Sequence, residues 1–451
     1  MSDQFHIQEE IMKRLPVKSL VQFRCVSKAW KSLIDSSDFI AAHSLRRHTQ
    51  PHYLLLSICV YPLDVSRCYT DDDTFPQQTS VPTLPLSVKQ LPCPFLVGSS
   101  QGLLCFLGSL LVFVSRTVVL WNPSIRKSIA VHVPDIGVGP FTFGFGVCPV
   151  TNDPKILAMI QLSEFMIYTL NTGKWRILST NLPSKRTGGL FFSVITDRFI
   201  YWHVLLNDLN LILSFDLISE SFELIDLPDS LARCGPSMVR FSKLRDSLAF
   251  LQHGDDYNSS IVWMMEVGAR KSFTKLFTIA TNHENIVGFS KNGIPMIRVV
   301  DNDDDDEDED GDMAKLVVYE PNSENNIVLD VCDLPCCSDM ISHMETLLLL
   351  GRSDYILEDQ PSHLTISHLK AYEYSILPFK YFSNLKTTKS SKPPVPKNKL
   401  NLVNSLVAAA PHLHVPEGPV EAPTSSNSVV ANPATDSAVD NTATDSSSVS
   451  T

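Results

Sequence analysis

One spacing governs what this chain can fold into. Five segments share a strand–turn–strand plan: VVLWNPSIRKSIAV, FMIYTLNTGKWRIL, LSFDLISESFELIDLP, WMMEVGARKSFTKLFTI and VVYEPNSENNIVLDV. With Trp121, Tyr168, Phe215, Met265 and Tyr319 as equivalent points, the steps are 47, 47, 50 and 54 residues. The last step contains DNDDDDEDEDGD, Asp301–Asp312, and shortens to about 42 without it. A second series lies between the first: PVTNDPK, ITDRFIYW, KLRDSLAF and SKNGIPM. Its Asn152, Asp197, Asp246 and Asn292 step by 45, 49 and 46. Two interleaved hairpins at one period mean about four strands per unit of ~47 residues.

One four-stranded sheet cannot bury both of its faces, so such units pack side by side around an axis. The expectation is a mainly β protein, with a β-propeller-like domain over residues 52–352. The repeat count gives six blades, with seven as the alternative. GSSQGLLCFLG and the Trp121 segment supply a first blade. Met340 to Leu350 begins the last, completed by a strand from Tyr53 to Val60. An irregular pair of β-sandwiches is the competing reading. A stacked α/β solenoid is disfavoured, because no segment between repeats carries an amphipathic helix of useful length.

Residues 1–45 read differently. Ile7, Ile11 and Leu15 follow i, i+4, i+8 spacing on one helix face, with Glu9 and Glu10 early and Lys13 and Arg14 late, an order that suits the helix dipole. Pro16 stops that helix. A second helix can run from Val17 to Val26, and Ser27 is the expected N-cap of a third holding Ala29, Trp30, Leu33 and Ile34. Asp35-Ser36-Ser37 would close it. Three helices in about forty residues cannot build a self-sufficient core, yet their apolar residues occupy more than one face. Either the unit caps the following domain or another protein covers it.

IQEEIMKRLPVKSLVQFRCVSKAWKSLIDSSDFI, about Ile7 to Ile40, resembles the F-box, the helical motif that joins a substrate receptor to the Skp-type adaptor of a cullin–RING ubiquitin ligase. RLPVKSL, FRCVSKAW and SLIDSSDF fall in family order. The resemblance implies that Ile11, Leu15, Pro16, Leu20, Cys25, Val26, Ser27, Trp30 and Leu33 lie at or beneath the adaptor interface, some of them holding the helices together. One departure is that Asp3 and Gln4 stand where the family has a Leu-Pro pair; Asp3 is expected to cap the first helix.

Farther on, Trp121-Asn122-Pro123-Ser124, FGFGVCPVTNDPK, LNTGKWR, Tyr201-Trp202, ILSFDLISESF, LRDSLAFL, FTKLFTI and VVYEPNSE look like the F-box-associated domain of plant F-box proteins, a relative of the kelch propeller. That resemblance covers roughly residues 54 to 350. It implies a substrate-recognition subunit of an SCF-type ligase, whose F-box binds the adaptor and, through it, the cullin–RING core, while the propeller holds a target protein. The alternative is a propeller interaction scaffold whose F-box no longer engages the ligase.

Other functions find little support. The net charge of −12 is concentrated: ten of the 49 acidic residues lie in Asp301–Asp312, leaving 39 against 37 cations elsewhere. The first fifty residues hold eight Lys/Arg against five Asp/Glu, too slight an excess for nucleic acid. Ten cysteines without paired spacing suit buried free thiols in a reducing compartment. There is no secretory signal and no apolar run of the ~18 residues that cross a bilayer. The cytoplasm, the nucleus or both are the expected location, with no membrane partner.

No catalytic motif, metal set or cofactor signature stands out. Cys332, Cys336 and Cys337 lack a second pair for zinc, and His363 and His368 are five apart, one too many for a helical metal pair. The acid run lacks the ligand alternation of a Ca²⁺ loop and reads as a disordered insertion, residues 301–312. Residues 353–385 have no assigned structure, and 386–451, rich in Pro, Ala, Ser and Thr, read as a disordered tail.

Overall fold

The computed structural model describes residues 2–352 apart from 47–49, 59–63, 93, 109–115, 135–140, 161–163, 181, 183–189, 255–258, 267–270, 281–284, 301–313, 320–326 and 333–337. The acid run, Cys336 and Cys337, His363 and His368, and the whole of 353–451 lie outside the described residues.

Four helices open the chain: α1 (Ser2–Met12), α2 (Val17–Phe23), α3 (Lys28–Ile34) and α4 (Ser37–Ser44). Pro16, with φ −58° and ψ 150°, breaks the chain between α1 and α2. Ser27 caps α3 as expected, its Oγ accepting from the Trp30 amide at 3.1 Å. The fourth helix corrects the three-helix expectation. Ser36, in the expected closing turn, accepts from the Phe39 amide at 3.2 Å and donates to the Leu33 carbonyl at 2.7 Å, so one side chain ends α3 and starts α4. Asp3 lies within α1 rather than capping it, and α2 ends at Phe23 rather than Val26.

Strands β1 (His52–Ile58) and β2 (Asp64–Thr70) come next, then the short α5 (Leu86–Lys89). Blade one is β3 (Phe95–Ser100), β4 (Leu103–Gly108), β5 (Arg116–Asn122) and β6 (Lys127–Val133). Blade two is β7 (Phe141–Val147), β8 (Pro154–Ile160), β9 (Glu164–Thr169) and β10 (Lys174–Leu178). Blade three is β11 (Leu190–Ile195), β12 (Phe199–Leu206), β13 (Leu209–Asp216) and β14 (Phe222–Asp226), followed by α6 (Asp229–Ala232). Blade four is β15 (Val239–Leu244), β16 (Ser247–His253), β17 (Ser259–Glu266) and β18 (Ser272–Ala280). Blade five is β19 (Asn285–Phe289), β20 (Pro295–Val300), β21 (Ala314–Val318) and β22 (Ile327–Cys332), and β23 (Ser338–Met344) ends the series.

Each of these five sheets is antiparallel and runs in sequence order. The sixth blade is a three-stranded sheet ordered β2-β1-β23. There β1 pairs with β23 along its whole length, His52 opposite Met344 and Ile58 opposite Ser338, so strands from the two ends of the domain close the ring. Inner strands β3, β7, β11, β15, β19 and β23 each lie beside the next, and β23 returns to β3. The count of six is the expected one, and Asp301–Asp312 falls between β20 and β21, whose Val300 and Ala314 pair across it.

Six apolar cores fill the six gaps between blades. In β1, Leu54 joins Met296 and Leu316 of blade five, whereas its neighbour Leu55 joins Leu104 and Phe106 of blade one. Side chains alternate across a strand, and here both faces are buried. That is why LLCFLG in β4 reads as an unbroken apolar run with every residue buried. The five repeat points obey the same geometry. Trp121, Tyr168, Phe215, Met265 and Tyr319 each join the core shared with the preceding blade.

Candidate functional site

The helical module builds its core from Met12, Val17, Leu20, Ile34 and Phe39, with Leu15, Val21, Phe23, Trp30, Leu33 and Ile40 packed around them. Two further members, Leu347 and Leu350, come from the segment that follows β23, and Ile125 comes from the β5–β6 turn of blade one. The last blade does begin near Met340 and is completed by β1, as expected, but its strand is shorter than Met340–Leu350. The strand ends at Met344, and residues 345–352 run as a strap between propeller and helices.

The strap is tied down at both sides. Glu345 accepts from the Val17 amide through Oε2 at 3.1 Å and from the Tyr53 hydroxyl through Oε1 at 3.4 Å. A carboxylate at the start of α2 satisfies an amide that no helical carbonyl can reach. Burial pushes the Glu345 carboxyl above its ordinary value even with these bonds, and burial beside Glu345 raises the Tyr53 phenol to about 12. Asn122, wholly buried, donates through Nδ2 to the carbonyls of Thr346 (3.0 Å) and Leu348 (2.6 Å). Arg352 donates to the Leu170 carbonyl at 3.1 Å and to Asn171 Oδ1, and Lys127 Nζ donates to the Arg352 carbonyl.

The opposite side of the module is open. Ile7, Ile11 and Val26 are 59%, 56% and 63% exposed. Pro16, Cys25 and Ser27 are exposed beside them in sequence, and Leu15, Trp30 and Leu33 are half-buried. Trp30 rests on Phe23, ring centroids 5.3 Å apart at 49°. Leu20, fully enclosed, presents no surface; it holds α2 against α3, α4 and the strap leucines. Eight of the nine implied interface residues thus reach solvent at least partly, and Leu20 belongs to the interior. Exposed isoleucine and valine on a unit whose inner face is already filled are what a docking surface needs.

Polar contacts brace this surface from behind. Arg24 donates to both oxygens of Asp35 at 2.6 and 2.9 Å, and Lys31 lies 3.2 Å from the same carboxylate. Burial alone would raise the Asp35 carboxyl, but the bonds from Arg24 and Lys31 outweigh it and hold it below its ordinary value. His43, buried, donates through Nε2 to the Leu15 carbonyl at 3.2 Å, and burial lowers its pKa. This fixes the carbonyl just ahead of Pro16, and with it the angle between α1 and α2.

Comparison with known proteins gives the module and the ring their family. The F-box domain family matches residues 5–41, and the F-box associated beta propeller domain family matches residues 66–294, half of the chain. The chain belongs to the plant F-box proteins with an F-box-associated propeller. An F-box protein of Arabidopsis thaliana is 27% identical over 289 residues, covering 60% of this chain and 71% of the relative. An F-box/kelch-repeat protein of the same plant is 26% identical over 308 residues, covering 60% and 78%. The F-box protein CPR1, also of Arabidopsis thaliana, is 26% identical over 368 residues, covering 73% and 84%. Among solved structures, TolB from Acinetobacter baumannii matches at a TM-score of 0.36 and 10% identity, over 63% of this chain and 66% of that one, too slight a likeness to bear on function.

Besides Ile125 of blade one, three F-box neighbours on the strap escaped the sequence reading: Glu345, Leu347 and Leu350. Their signal was present in METLLLLG, where four successive leucines break the strand alternation just after a strand. Among the described residues no group of three His, Cys, Asp or Glu side chains gathers as a metal would require.

Proposed function

We propose that this chain is a non-catalytic substrate receptor of an SCF-type cullin–RING ubiquitin ligase. The F-box docks a Skp-type adaptor and through it the cullin–RING core, while the propeller holds a target protein. The observation that carries this reading is the open apolar face of α1 and the α2–α3 turn, Ile7, Ile11, Pro16, Cys25 and Val26, on a module whose other face is occupied by its own propeller. Family membership supports it. Receptor function then needs no bond-making by this chain: binding raises the local concentration of a target lysine near the charged conjugating enzyme. The turns of blade one at Gly102 and Ser124–Ile125 meet the strap and the helices. Free thiols at Cys68, Cys105 and Cys148 are buried, which suits the reducing cytoplasm or nucleus.

The test is capture of a purified Skp-type adaptor by the full chain and by an Ile11→Asp, Val26→Asp variant. Both positions are exposed, so stability should stay within about 0.5 kcal/mol. A carboxylate placed in a desolvated interface should cost several kcal/mol and abolish capture. Equal capture by both chains, or none by the native one, would remove the docking role. In the second case the replacement of the family's Leu-Pro pair by Asp3-Gln4 favours a propeller scaffold detached from the ligase.

A further inference from the structure

Glu345, Leu347 and Leu350 follow the last strand of the propeller and complete a module that was made first. We propose that they are positioning residues for adaptor docking: closure of blade six delivers them to the helices, so the docking face is assembled only on a chain whose propeller has closed. The inference rests on the docking role proposed above and adds to it a dependence on residues far from the F-box.

The geometry leaves the strap little independence. It leaves β23 directly, and the Glu345 amide donates to the Pro51 carbonyl at 3.3 Å just outside β1. Its path is then fixed by Asn122, Ser124 and Lys127 of blade one and by Leu170 and Asn171 of blade two. The Leu350 amide donates to the Leu347 carbonyl at 3.0 Å, closing a turn that brings these two side chains into the helical core. Leu348 and Leu349 point the other way, into the core between blades one and two. Leu349 holds φ at 71°, a left-handed conformation that costs a bulky residue energy and persists where its surroundings over-determine it. Here burial on both sides of the strap supplies that constraint.

The helices in turn depend on the strap. At seven residues each, α2 and α3 are too short to stand alone. Val17, Leu20 and Ile34 pack on Leu347 and Leu350, and the Val17 amide takes Glu345. Without the strap, that face opens to water and the α2 start loses its acceptor. Cys25 and Val26, in the turn that joins the same two helices, and Trp30 on α3 would lose their fixed placement. A rigid surface binds better than one that must be ordered during binding, so adaptor affinity is linked to propeller closure through a shared core.

The test uses the full chain in four forms: native, Leu347→Ala with Leu350→Ala, Leu347→Met with Leu350→Met, and Leu251→Ala in the core between blades four and five. Native-state hydrogen exchange and adaptor affinity are measured on each. The alanine pair should speed exchange of α2 and α3 amides about tenfold or more, leave blade-three amides protected, and weaken adaptor binding at least about tenfold. The methionine pair should restore both, and Leu251→Ala should alter neither. Unchanged α2–α3 protection in the alanine pair would overturn the proposal, as would unchanged adaptor affinity. An equal loss from Leu251→Ala would reduce the effect to general destabilisation and also overturn it. A native chain that does not bind adaptor would overturn the docking role itself, a failure that the exchange pattern, needing no adaptor, keeps separate from failure of the coupling.

Discussion

Five of the six blades find their strands within about one repeat, whereas the helical module is tied to a residue 328 positions away, Glu345 at the Val17 amide. The difference teaches where each part is vulnerable. Each blade shares its cores mainly with its two neighbours, so the ring gains from every interface it closes. The module shares one core with the strap, and the strap exists only because the ring is closed. Trp202 illustrates the first case: fully buried between blades two and three, it donates from Nε1 to the Phe143 carbonyl at 3.3 Å. A Cβ on Gly144 would come within 2.3 Å of its ring, so that blade edge admits only glycine. Leu20 illustrates the second, equally buried but with partners that lie before and after the propeller strands in sequence.

The sharpest way to break this comparison is Trp202→Ala. Emptying a space of that size should cost about 3–5 kcal/mol and lower the urea midpoint of the whole propeller, read by far-UV circular dichroism. A loss confined to blades two and three would contradict a cooperative ring. Next in size is Leu20→Ala, expected to cost about 2–4 kcal/mol. Its effect should appear as faster exchange of α2 and α3 amides, with the propeller midpoint held; a matching fall in that midpoint would erase the distinction between the two regions.

The smallest effect separates two carboxylates by pH. Glu345 has a folded value raised above the ordinary 4.5 by burial, so its contribution is fullest below the unfolded value and is lost as pH rises through the folded one. Asp35 is the reverse: its folded value lies below the ordinary 3.8, so its contribution is present above that value and is lost as pH falls further. Between neutral pH and about 4.5, then, Glu345 should contribute a small rise in module stability as it takes up a proton, set against the fall from buried His43, whose lowered value makes its protonation unfavourable. Glu345→Gln keeps an oxygen for the Val17 amide and should flatten that rise. Exchange of α2 amides across pH 4.5–7 measures it, and an identical slope in both chains would show that Glu345 does not govern the joint.

The ring was legible because its signal repeats. Trp121, Tyr168, Phe215 and Met265 stand at nearly constant spacing, and each meets the same surroundings, the face of the preceding blade. A pattern seen five times needs no knowledge of any single contact. Caps were legible for a related reason, as Ser27 acts on an amide three residues away. The fourth helix was missed because Ser36 serves two helices at once, and in the sequence a serine there reads equally as a turn. The sequence left open whether the following domain or another protein covers the module's apolar surface. Leu347 and Leu350 fill its inner face, and only the outward residues such as Ile11 and Val26 stay open.

What the sequence by itself determined is the periodic part: six blades, their strand order, their turns, and two helices with their start signals. These rest on interactions between residues close along the chain, where spacing translates directly into geometry. What only the tertiary structure decided is how the two ends of the domain meet: β1 on β23, the carboxylate of Glu345 on α2, and four adjacent leucines shared between two cores. A leucine carries no mark of which apolar surface it will meet. The hydrophobic effect has no direction of its own, and ring closure alone brings the strap beneath the helices.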